Sequence, residues 1–317
     1  MQKQLLIKDK IKGLFYGQAI GDAIGLATEF LTKEEVTKIY PHRVNTYSDI
    51  HQDDHRVRWL KGDWTDDTDQ FLAIVDSIIK TKNVDEFAFA KELIAWFNEC
   101  PMGIGNTVLK VLKIPGYTSN PHKAAELIWK QSRENVASNG AIMRTSVLGA
   151  FQYWDVNQVI SNTIKICKTT HSDPRCIGSC VIISLIISNI LRENNFLTIN
   201  DIKNIAKNYD DRILKYIDLS LTTDINELDL NNDDDLGYTL KTLSAGLWAY
   251  FNRTNFTETI SEIIHQGGDA DTNAAVAGSL LGVIDGYETL PTPLIEGLIY
   301  KNVLNQKFED FYQLNIK

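Results

Sequence analysis

The chain has 317 residues, 44% of them hydrophobic and 23% charged, enough to bury one large core or two modest ones. Its net charge of −9, with no cluster of Lys and Arg, argues against binding nucleic acid through the phosphate backbone. The first ten residues lack the pattern of a secretion signal, and the longest apolar stretch, 180–191, is broken by Ser184, Ser188 and Asn189, so no membrane partner is expected.

In chain order, residues 5–27 read as a helix, with Leu5, Ile7, Ile11, Leu14, Phe15 and Ala19 at helical spacing. Gly13, Gly17, Gly21 and Gly25 recur every four residues within it. A glycine inside a helix costs roughly 1 kcal/mol relative to alanine. Four on one face imply an offsetting gain, most simply the close approach of a second helix; the alternative is a glycine-rich loop. Glu29 follows just beyond. Residues 41–61 are polar and read as a loop, and His42, His51 and His55 within it read as solvated surface rather than metal ligands.

Thr65 is expected to cap a helix running to Ile79, and 85–98 to form another. The turn Pro101-Met102-Gly103-Ile104-Gly105-Asn106-Thr107 leads into a helix containing Val108 and Leu112. Helices are expected over 122–134, 145–153, 156–168 and 200–219, with a buried helix over 176–193. The four cysteines, Cys100, Cys167, Cys176 and Cys180, form no CxxC pair; free thiols in a reducing cytoplasm are expected, with Cys176 and Cys180 packed in the core. The acidic stretch 229–235 imitates a calcium loop but has Asp234 where glycine is needed and Leu240 where glutamate is needed, so it reads as a surface loop. Gly237-Tyr238 opens a helix through Phe251, and a last helix is expected near 293–305. Strand-like alternation is scarce and no composition break marks a linker. The expectation is therefore an all-α chain forming one domain over 1–317.

Two segments carry the densest oxygen chemistry: Trp64-Thr65-Asp66-Asp67-Thr68-Asp69, and Gly267-Gly268-Asp269-Ala270-Asp271-Thr272-Asn273 before a small-residue run in which Gly278, Gly282 and Gly286 repeat the four-residue spacing. Either alone could be an N-capping motif. Together in one pocket, Asp66, Asp67, Asp269 and Asp271 would repel each other, and a hard divalent cation removes the conflict. All-oxygen ligation points to Mg²⁺, Mn²⁺ or Ca²⁺ rather than zinc. Two carboxylate pairs can hold two ions about 3.5–4 Å apart, a geometry that activates water and orients an oxygen-rich substrate.

These clusters resemble the ADP-ribosylglycohydrolase family, of the dinitrogenase-reductase-activating glycohydrolase type. The resemblance rests on Gly17-Gln-Ala-Ile-Gly-Asp-Ala-Ile-Gly25 through Glu29, Trp64-Thr-Asp-Asp-Thr68, Ser138-Asn-Gly-Ala-Ile-Met-Arg144, Thr170-His-Ser-Asp-Pro-Arg-Cys176, Gly237-Tyr238 and Gly268-Asp-Ala-Asp-Thr-Asn273, in family order. It implies an orthogonal bundle of α-helices and a binuclear Mg²⁺ centre, with Mn²⁺ as the alternative cation. The implied ligands are Thr65, Asp66, Asp67, Asp269, Asp271 and Thr272.

Glu29, Asp66 and Asp271 are the implied catalytic group, with Glu29 in acid/base work or positioning the attacking water. Asn139 and Gly140 match the segment that contacts ribose and diphosphate. His171 matches a residue near the ribose or phosphates, or else is a capping or core histidine; Tyr238 stacks on adenine or simply packs. Arg144 is expected to pair with a carboxylate. Asp69 departs from the glutamate of several relatives.

The implied reaction cleaves the C1″ bond between ADP-ribose and a protein side chain, arginine first. The alternatives are another linkage (serine, O-acetyl-ADP-ribose or poly(ADP-ribose)) and a non-catalytic ADP-ribose-binding protein. The partner is then an ADP-ribosylated protein or small ADP-ribose conjugate, and a monomer is expected.

Overall fold

In the computed structural model, residues 2–232 and 236–315 are described; Asp233, Asp234 and Asp235 of the acidic loop lie outside them. Among the described residues the chain is all-α, with no strand beyond one isolated bridge between Ser138 and Tyr238.

The centre is a crossing of α1 (Gln2–Gly25) and α13 (Ala270–Asp285). The glycine ladders meet as their spacing requires. A Cβ on Gly13 would sit 2.1 Å from the Gly282 carbonyl oxygen, one on Gly17 2.1 Å from that of Gly278, and one on Gly21 2.0 Å from that of Ala274. Gly25 faces the backbone of Asp271. The pairing 13 with 282 and 25 with 271 makes the helices antiparallel, so the end of α1 lies against the start of α13. This register brings Glu29 to the aspartates that open α13.

The remaining helices wrap this pair: α3 (Asp66–Thr81), α8 (Pro174–Glu193) and α11 (Thr239–Asn252) all pack against α13. Phe15 of α1 meets Phe71, Phe308 and Phe311, tying in α3 and the C-terminal α15 (Lys301–Leu314). One core cluster draws on nearly every element. Helix α8 is long and apolar enough to span a membrane, yet it is mostly buried in this core. Cys167, Cys176 and Cys180 are buried free thiols.

Several expected boundaries differ. The stretch expected as one helix over 200–219 is two, α9 (Ile199–Ala206) and α10 (Arg212–Leu219), because the Asp210 carboxylate accepts the Arg212 N–H and starts a new helix. The last helix is also two, α14 (Thr292–Gly297) and α15; Leu298 is extended and a turn follows it, where the Ile299 N–H donates to the Gly62 carbonyl. The α-helix expected over 145–153 does not form. Residues 145–149 form a 3₁₀ turn in which Gly149 lies close against the Ser184 carbonyl of α8. Two helices escape the sequence reading, α2 (Lys33–Ile39), entered by a Thr32–Glu35 capping box, and α12 (Phe256–Ile264), capped by Asn255.

Candidate active site

Three helix ends converge. Thr65 is the N-cap of α3, and its hydroxyl accepts the Asp67 N–H. Asp269 occupies the N-cap position of α13 but does not cap; its Oδ2 accepts from the Asn139 amide at 2.6 Å. Gly267 and Gly268, with φ of 72° and 67°, make the turn into α13, and their close contacts with the Leu31 and Leu230 carbonyls leave no room for a Cβ. The same turn pairs with the segment after Glu29: Phe30 N–H donates to the Gly268 carbonyl and Gly268 N–H to that of Leu31.

Glu29, Asp269 and Asp271 thereby present ligand oxygens all within 4.8 Å of one another. Thr65 Oγ1 lies 3.3 Å from Asp271 Oδ2 and 3.4 Å from Asp67 Oδ2, joining the α3 start to the same cluster. Asp67, Asp271, Thr65 and Thr272 are buried and Asp66 and Asp269 half-buried. Burial, then their neighbouring carboxylates, push the Asp67 and Asp271 carboxyls well above the ordinary range. Burial first and Asp269 next raise Glu29, against the hydrogen bond from His55. One oxygen each of Asp67 and Asp271 is buried with no hydrogen-bond partner among the described residues. Unmet buried carboxylate oxygens among like charges are what a hard cation satisfies, so the residues fit a metal ion.

Asp22, to which sequence reasoning assigned no role, holds the start of α3. From α1 it accepts the Thr65 N–H at 2.9 Å, the Thr68 N–H at 2.9 Å and the Thr68 hydroxyl at 2.6 Å. A carboxylate from another helix caps α3, which local spacing does not reveal. Asp69 accepts both Trp64 and Trp96 indole N–H groups and so braces the aromatic wall behind α3.

His55 is a correction: it is half-buried, with Nε2 2.7 Å from Glu29 Oε2. Arg56 puts it there. Its buried guanidinium donates to the carbonyls of Leu26, Ala27 and Glu29 at the end of α1, docking the 41–61 loop onto the site. His42 and His51 are exposed, as expected.

Glu29, His55 and the Thr65–Asp67 and Asp269–Thr272 clusters line a cavity of about 690 Å³, whose far wall is Gly103–Val108, Ser138, Asn139, Gly140 and Gly237. The Asn139 N–H donates to the Gly237 carbonyl, which sets that segment beside Asp269. His171 lies behind this wall, outside the cavity lining: Nε2 contacts Ser138 Oγ and Nδ1 contacts Thr170 Oγ1. Burial, then Arg144, hold its pKa down at about 3, so it is a neutral core histidine. Tyr238 also lies off the lining, its ring against Arg175 and edge-on to Tyr216. Among the described residues Arg144 has no ion-pair partner; its fully buried guanidinium donates to Gln70 Oε1 and Thr170 Oγ1.

A pH effect follows. Burial is the main cause that pushes Asp22 and Asp66 each up to about 7. Between the unfolded carboxyl value of about 4 and about 7, the folded state holds protons that the unfolded state has released, so stability falls as pH rises through that window. In EDTA, Tm is expected to be higher near about pH 5 than near about pH 8, and a divalent cation is expected to restore it at the higher pH. Equal Tm values at the two pH values in EDTA would show that burial does not hold these carboxyls protonated in the fold.

An all-helical protein built on a crossed glycine pair, with a carboxylate-lined cavity able to take a hard cation, defines a narrow class. The sequence profile of the ADP-ribosylglycohydrolase family matches residues 3–316, and the chain belongs to that family. It is 26% identical over 96% of its length, and 80% of the relative's, to an ADP-ribosylarginine hydrolase Tri1 of Serratia proteamaculans (strain 568). It is 24% identical to the ADP-ribosyl-[dinitrogen reductase] glycohydrolase of Rhodospirillum rubrum, covering 93% of this chain and 92% of that one. A solved ADP-ribosylglycohydrolase-related protein complex shares the fold, with a TM-score of 0.78 at 22% identity over the full length of both chains.

Proposed function

We propose that the chain is a Mg²⁺- or Mn²⁺-dependent hydrolase that cleaves the C1″ bond between ADP-ribose and a protein side chain, arginine first. The observation that carries the metal requirement is the pair of buried, partnerless oxygens on Asp67 and Asp271 beside Glu29 and Asp269. Family membership supports cleavage of ADP-ribose, and the name of the Serratia relative supports arginine as the acceptor.

Thr65, Asp66, Asp67, Asp269, Asp271 and Thr272 would hold two ions. When bound, such ions lower the pKa of a coordinated water and orient ribose hydroxyls. Glu29, raised by burial and held by His55, is poised to take a proton from the attacking water. Asn139 holds Asp269 with its amide while the backbone around Gly140 and Gly103–Val108 offers N–H groups to the diphosphate side of the cavity. Gly140 is kept small because a Cβ there would press on His171 at 3.1 Å and Val108 at 3.2 Å. The partnered nitrogens of His171 give it a supporting role in the wall instead of contact with ribose.

Incubation with arginine-ADP-ribosylated protein in Mg²⁺, Mn²⁺ and EDTA tests this reading. ADP-ribose release only with metal is the expected result. Release confined to serine, O-acetyl or poly(ADP-ribose) substrates would move the linkage. Tight ADP-ribose binding without release from any substrate would make the chain a binding protein.

A further inference from the structure

Arg144 is a full positive charge, completely buried, with no ion-pair partner among the described residues. Its guanidinium donates to two neutral oxygens, those of Gln70 and Thr170, and lies 5.1 Å from the centre of the Phe89 ring; its Nε has no partner. A buried charge with only neutral contacts costs several kcal/mol unless a countercharge lies within reach. The ionisable groups that favour its charged form are Tyr117, Cys167, Cys180 and Asp66. Burial raises the phenol and the Cys167 thiol, and a thiol is ordinarily neutral at pH 7, so Asp66 is the one carboxylate of the set.

The hydrogen bonds run from Arg144 to that carboxylate. The guanidinium donates to Gln70 Oε1, and Gln70 Nε2 donates to Asp66 Oδ2 at 2.8 Å. The second arm runs to the opposite cavity wall. Thr170 accepts from Arg144 and so turns its own hydrogen to His171 Nδ1 at 2.7 Å. This leaves the proton of His171 on Nε2, facing Ser138 Oγ at 2.9 Å; Ser138 in turn donates to Thr107 Oγ1 at 2.8 Å. Each link accepts on the side nearer Arg144 and donates on the far side.

We propose that Arg144 is a positioning residue, the internal countercharge of the carboxylate cluster, acting through Gln70 to fix the Asp66 carboxylate in its cation-binding orientation. The inference rests on the metal reading given above. It assigns Arg144 and Gln70 to the metal centre, although neither lines the cavity.

Arg144→Met strips both arms and leaves two buried acceptors unmade, so loss of the fold there says nothing. Gln70→Glu separates the roles. It keeps an acceptor for Arg144 and gives it a local ion pair, leaves the second arm intact, and replaces the donor to Asp66 with a second carboxylate facing it. The readouts are Tm in EDTA and free Mn²⁺ by electron paramagnetic resonance during titration of the metal-free protein. Expected for Gln70→Glu is a folded protein with Mn²⁺ affinity lowered about tenfold or more. In turnover with saturating metal, kcat is expected to fall while KM stays unchanged.

Wild-type Mn²⁺ affinity in Gln70→Glu overturns the proposal and leaves the metal reading standing. Failure of Gln70→Glu to fold also overturns it, because the new ion pair must be tolerated. An unaltered protein that takes up no Mn²⁺ overturns the metal reading and this inference with it.

Discussion

Asp271→Asn is expected to lower kcat/KM by about 10³-fold or more while leaving the fold intact and making the metal-free protein more stable. Asp271 is buried at the start of α13, one oxygen is unpartnered, and Glu29, Asp67, Asp269 and Asp22 all disfavour its charge. Asparagine has nearly the same shape, so packing is kept and one like charge is removed. The variant therefore loses the cation while relieving the repulsion that the cation would neutralise. Steady-state turnover and Tm in EDTA check both halves. Near-wild-type turnover would remove Asp271 from the chemistry, and a lower Tm would show that it is structural.

The other large effect is on folding. Gly17→Val would place a Cβ 2.1 Å from the Gly278 carbonyl oxygen, and the obstruction is backbone that no rotamer change can clear. The crossing of α1 and α13 must open, so a loss of roughly 3–5 kcal/mol is expected in denaturant titration. Because that crossing carries Asp22, Glu29 and Asp271, cation affinity should fall with it. Gly105→Ala is the contrast: nothing lies within 4 Å of its Cβ position and its φ is −63°, so the stiffer chain and the poorer N-cap roughly offset and stability should change by less than about 1 kcal/mol. A Gly17→Val protein as stable as the unaltered one would contradict the close crossing.

The elements that were legible in sequence share a physical signature that survives without neighbours. The glycine ladders were legible because four glycines at helical spacing are costly unless another backbone fills the groove. The two aspartate clusters were legible because their charge density at predicted helix starts needs compensation. Asp22 was not: it caps α3 from α1, and its register is set by the crossing. His55 read as surface because its burial follows from Arg56 docking on the α1 carbonyls, a contact with no local trace. Arg144 was expected beside a carboxylate and reaches one only through Gln70. Some misses had signals: Thr32 and Glu35 spell a capping box, and Asp210 preceding Arg212 marks the break between α9 and α10.

Anomalous diffraction from crystals soaked in Mn²⁺ tests the central claim most directly. Manganese peaks are expected within coordination distance of Asp67 and Asp271, with Glu29 and Asp269 around them. A cavity without manganese at saturating concentration, or peaks only at surface carboxylates elsewhere, would contradict it.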